Sequence, residues 1–118
     1  MKVEFGSKEL ELVLDGGTIV DIEKQLGKSL FGIMMTGTGG MKMPRLGEML
    51  VILHSANTKH GIKNADMITL YDEYIAAGGT QMTLFEIIQN LMEKAGFFEP
   101  EDKDKKAKTG ETEDVSLV

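Results

Sequence analysis

The sequence predicts an α+β domain that is mostly α: a short N-terminal β-hairpin, about four helices, and a disordered acidic C-terminal tail. Three observations predict it. Apolar residues alternate on either side of Gly6, recur at helical spacing in later stretches, and lose their periodicity after Phe98, where the composition turns acidic. The expected division is therefore a helical domain over 1–98 and a tail over 99–118. At 118 residues the chain has room for one domain with its own core.

Lys2 to Phe5 and Glu9 to Val13 alternate, with Val3, Phe5, Leu10, Leu12 and Leu14 apolar, and Gly6-Ser7-Lys8 lies between them. This is the pattern of a hairpin, in which Gly6 is free to take the positive φ of a tight turn. Asp15-Gly16-Gly17 ends the second strand. Thr18, with Asp21 three residues on, reads as a capping pair for a helix whose Ile19, Ile22 and Leu26 share one face, and Gly27 reads as its stop. From Leu30 to Met43 the chain is apolar but broken by glycine, so a short apolar segment and a flexible loop are expected.

Pro44 suits a helix's first turn, and Leu46, Met49, Leu50 and Leu53 form the next apolar face, which Asn57 to Gly61 interrupts. Asn64 or Asp66 is the expected cap of a third helix carrying Ile68, Tyr71 and Ile75, with Gly78-Gly79 as its exit. Thr80 or Thr83 opens a fourth, in which Leu84, Ile87, Ile88, Leu91 and Ala95 repeat before Gly96. Residues 99–118 hold seven acids and four lysines with no aromatic residue, too little apolar surface to offset the entropy of ordering them.

Composition narrows the function classes. With no cysteine, disulfides, thiolate chemistry and cysteine-ligated metals are excluded. A net charge of -6 and a single arginine, Arg45, argue against binding to a nucleic-acid backbone. The longest apolar run, Met49 to Leu53, is far below the roughly 20 residues of a membrane span, and no secretory signal is visible at Met1-Lys2-Val3-Glu4-Phe5. The expectation is a cytoplasmic, non-catalytic protein without a cofactor, a membrane or a nucleic acid among its partners.

Three local features invite a chemical reading. Gly37-Thr38-Gly39-Gly40 suggests a phosphate-binding loop, but Lys42 stands where a dinucleotide fingerprint needs glycine, and the Gly-Lys-Ser/Thr of a nucleotide-binding loop is missing. His54 and His60 are six apart, the wrong spacing for a metal pair on one helix face. The serines do not assemble a nucleophile and base, and no catalytic residue, metal ligand or cofactor site is assigned. Methionine, by contrast, is over-used at nine residues. Thioethers suit surfaces that receive varied apolar partners, so Met34, Met35, Met41, Met43 and Met49 are candidate protein-binding residues, joined by Phe97 and Phe98 at the last helix's exit.

Taken in order, Val3 to Leu10, then Ile22-Glu23-Lys24-Gln25-Leu26-Gly27-Lys28-Ser29-Leu30, the helix Leu46-Gly47-Glu48-Met49-Leu50 with His54, and Leu91-Met92-Glu93-Lys94-Ala95-Gly96-Phe97-Phe98 resemble the tail assembly chaperones of long-tailed bacteriophages and gene-transfer-agent-like particles. The resemblance covers about residues 1 to 98. It implies a factor in the host cytoplasm that binds the tape-measure protein and assists polymerisation of the tail tube protein around it, with a frameshifted longer form in many members. The glycine- and methionine-rich loop departs from the family pattern. A homo-oligomer is compatible with this reading, and the competing one is a structural virion component, a connector or tail-completion protein.

Overall fold

A computed structural model describes residues 1–38 and 40–97. The tail expected over 99–118, and Phe98 with it, lie outside the described residues. Among those described, strands β1 (Lys2–Phe5) and β2 (Lys8–Glu11) are followed by helices α1 (Gly16–Leu26), α2 (Leu30–Met34), α3 (Leu46–Ala56), α4 (Asp66–Ala76) and α5 (Gln81–Lys94). The expected hairpin and helical body are present, and α2 is an additional helix.

The strands pair antiparallel with Val3 opposite Leu10 and Phe5 opposite Lys8, so a two-residue turn at Gly6-Ser7 joins them. Gly6 has φ of 64°, the left-handed conformation that glycine adopts without a Cβ penalty. Alternation then puts Phe5, Leu10, Leu12 and Leu14 inside. Beyond β2, Leu12 and Asn57 form an isolated antiparallel bridge, and the Asn57 side-chain oxygen accepts from the Glu11 N–H at 3.1 Å. The end of α3 is thereby fastened to the hairpin.

Capping at α1 differs from the expected pair. Asp15, in extended backbone, accepts from the Thr18 N–H at 2.9 Å, so the helix starts at Gly16 and Thr18 is already inside it. A capping aspartate outweighs the poor helix propensity of two glycines because it satisfies an N–H that has no partner within the helix. Gly27, with φ of 67°, ends α1 as expected. α2 has a different origin. Its five residues are held from outside, with Ser29 Oγ accepting from the Gly32 N–H and Glu23 of α1 accepting from the Leu30 N–H at 2.9 Å.

α3 is the central helix, packing against α1, α4 and α5 while burying Met49, Leu50, Ile52, Leu53 and Ala56. α5 is capped by Thr80, which accepts from the Thr83 N–H, and it buries Leu84, Phe85, Ile88, Leu91 and Met92. One hydrophobic cluster joins the hairpin to all five helices. The face expected for α4 requires correction: Met67 and Leu70 point inward, whereas Ile68 is 64% and Ile75 39% exposed. Two apolar stripes run along this helix, and the hairpin and α3 cover the one that carries Met67 and Leu70.

Candidate functional site

The five candidate methionines separate into two groups. Met34 and Met49 are fully buried and belong to the core, which corrects their assignment to an accessible surface. α2 and α3 turn both side chains inward, a placement that a loop spanning Leu30 to Met43 would not impose. Met35 and Met43 are half-buried, and Met41 remains 39% exposed. Phe97 packs partly against the core at the exit of α5, with its N–H donating to the Met92 carbonyl at 3.1 Å.

Met35 and Met41 are brought together by the backbone between α2 and α3, and Met43 follows two residues on. Met35 and Met41 form an antiparallel bridge, the Lys42 N–H donates to the Met34 carbonyl at 2.9 Å, and the Thr36 N–H donates to the Gly40 carbonyl at 2.7 Å. Thr36 Oγ1 also accepts from the Gly40 N–H at 2.9 Å. Thr36 and Gly40 are thus closed on each other, and the Gly40 N–H that a phosphate cradle would aim at a ligand is already bonded.

Beside this turn lies a cleft of about 420 Å³ lined by Lys28, Ser29, Gly32, Ile33, Lys42, Met43, Pro44, Arg45 and Glu48. Ile33 and Pro44, which are buried, and half-buried Met43 line it together with Lys42 and Arg45, which are exposed. Phe31, on the same short helix as Gly32 and Ile33, is 44% exposed. The corner therefore combines accessible large apolar side chains with cationic ones.

Electrostatics sharpen that description. Glu48 accepts from Lys28 Nζ at 2.9 Å and, through its other oxygen, from the Arg45 N–H at 3.0 Å. The Lys28 ammonium and the Arg45 backbone donor hold its carboxyl below its ordinary value of 4.5, against the opposing effect of burial. Lys28 is thereby neutralised. Lys42 and Arg45 form no ion pair among the described residues, although the Arg45 charge also acts on Glu48; three cations, Lys28, Lys42 and Arg45, against the one carboxylate leave the cleft with an excess of two positive charges on a protein whose net charge is -6.

The histidines do different work. His54 Nε2 hydrogen-bonds the Ile62 carbonyl at 2.9 Å, linking α3 to the connection that leads into α4, and His60 lies exposed on that connection. Among the described residues no group of three His, Asp or Glu side chains is arranged to hold a metal ion, and no helix is long and apolar enough to cross a membrane. The sequence reading missed Lys28, Phe31 and Arg45. The available signal was the lone arginine directly after Pro44, next to an apolar stretch flanked by lysines.

The family described as Family of unknown function (DUF6096) matches residues 1–118. No curated protein and no solved structure matches the chain.

Proposed function

The chain belongs to the DUF6096 family, and from its methionine-bearing corner we propose that it is a phage tail assembly chaperone, holding the tape-measure protein until tail tube subunits polymerise around it. The observation that carries this reading is the exposure of Phe31 on α2 and of Met41, with half-buried Met35 and Met43, on the segment between α2 and α3. A long helical client with apolar faces needs a receiver that adapts to several side-chain patterns. Thioethers re-pack with little strain. The order of elements that resembles the chaperones also supports the reading.

The test is co-expression of the full chain with a phage tape-measure protein. Parent protein is expected to co-purify with the tape-measure protein, and Phe31→Ser/Met41→Ser to lose at least about tenfold in recovery while remaining folded, because both positions are accessible. A chaperone should also be missing from purified particles. Stoichiometric incorporation into particles would replace this reading with that of a connector or tail-completion protein.

A further inference from the structure

We propose that the cationic cleft between α2 and the start of α3 is the docking site of the chain's own acidic terminal segment, residues 111–118. The charge pattern of residues 99–118 singles out that segment. Residues 99–108 carry four acids and all four lysines, so they are electrically balanced, whereas Glu111, Glu113 and Asp114 stand without a lysine among them. Three apolar residues, Val115, Leu117 and Val118, accompany those acids. An acidic stretch followed by an apolar one needs a receiver that combines an excess of cations with apolar side chains.

The cleft has that composition. Lys28, Lys42 and Arg45 against the single carboxylate of Glu48 leave two positive charges in excess, and Ile33, Met43 and Pro44 line the cleft beside them. Lys59, on the connection between α3 and α4, is already paired, its Nζ reaching Glu9 at 2.7 Å. Geometry permits the connection. The end of α5 lies against Leu12 to Leu14, just ahead of α1, while Lys28 and Ser29 follow the far end of α1. An 11-residue helix spans about 16 Å, and the 13 residues from 98 to 110 reach up to about 45 Å when extended. The covalent link places the segment at roughly millimolar effective concentration, so weak contacts suffice for docking.

The docking proposal itself does not depend on the chaperone reading, and it is tested on the isolated full chain without any client. Because cysteine is absent from the sequence, Ser116→Cys offers one attachment point for a nitroxide label. Amide signals of Gly32, Ile33 and Lys42 are expected to lose at least half their intensity in the paramagnetic state. That loss should disappear in Lys42→Glu/Arg45→Glu, and at about 0.5 M salt, where charges are screened beyond a few ångströms.

A second variant, Glu111→Gln/Glu113→Gln/Asp114→Asn, lies outside the described body and should abolish the effect without touching the cleft. Absent or uniformly spread broadening, or broadening that survives both charge changes, overturns the proposal. Mixing labelled chains with isotopically labelled, spin-free chains identifies the occupant. Broadening transferred between molecules would assign the site to a second copy and overturn docking within one chain. Loss of tape-measure co-purification with intact broadening would instead count against the chaperone reading alone.

Discussion

Gly6 and Leu70 approach so closely that a Cβ on Gly6 would sit 2.7 Å from the Leu70 carbonyl oxygen. The next residue reinforces the contact, since the Ser7 N–H donates to Glu73 Oε1 at 2.8 Å. The hairpin turn is thus seated directly on the backbone of α4. This relationship makes the turn part of the tertiary packing as well as a local device.

Gly6→Ala should therefore destabilise the domain by about 2 kcal/mol or more, combining the cost of a left-handed alanine with displacement of α4. Ser7→Ala keeps the donating N–H and should cost well under about 1 kcal/mol. Urea denaturation of both variants checks this. Equal stability of the two would mean that the turn does not rest on α4 in solution.

The second prediction concerns the two stripes of α4. Leu70→Ala removes a buried side chain and should cost about 2–5 kcal/mol, whereas Ile68→Ser at a largely exposed position should stay within about 0.5 kcal/mol. Thermal unfolding separates the cases. Comparable losses would mean that the outer stripe is covered in solution, and sedimentation of the parent chain would then show whether a second copy covers it.

The same helix shows what could be read from the sequence. Ile68, Tyr71 and Ile75 have helical spacing, and so do Met67, Leu70, Tyr71 and Tyr74, so periodicity established the helix without selecting its inner face. Contact with the hairpin makes that choice, and no local pattern encodes it. The hairpin, α3, α5 and the glycine stops at Gly27 and Gly96 were legible because each depends on neighbours within a few residues. α2 was not, because Gly32 interrupts it and part of its support comes from the Glu23 carboxylate on another helix. The site was legible only in part for the same reason: the methionine cluster is local, but the pairing of Lys28 with Glu48 joins residues 20 apart.

The third prediction separates core methionines from accessible ones. Met34→Ala should cost about 2–5 kcal/mol, because the side chain is fully enclosed and a cavity would remain. Met41→Ser should change stability by less than about 0.5 kcal/mol, with Met43→Ser in between because that side chain is half-buried against the core. Equilibrium unfolding of the three single variants gives the ranking. A large loss at Met41 would place it in the core and remove it from the proposed client surface.

The last prediction is a pH dependence at Glu48. Its carboxyl is held below 4.5 first by the hydrogen bond from Lys28 and then by the Arg45 N–H, so its folded value is lower than its unfolded one. A carboxylate depressed in this way contributes stability that is complete above the unfolded value and is lost as pH falls through the folded one. Lys28 is half exposed, so the contribution should be about 1 kcal/mol or less at neutral pH. Glu48→Gln retains an oxygen for the Arg45 N–H and puts an amide NH2 where Lys28 had an acceptor, so it removes the charge and the Lys28 hydrogen bond together. Parent protein should accordingly melt a few degrees higher than Glu48→Gln at pH 7, and the gap should narrow as pH falls below the ordinary carboxylate value of 4.5. Asp15, Glu9 and Glu73 are also depressed, by the Thr18 N–H, by Lys59 and by Ser7 respectively, but they titrate in both proteins and cancel from the difference. A gap that stays constant down to pH 3 would show that the two proteins differ in packing and that the Lys28 pair contributes nothing through charge.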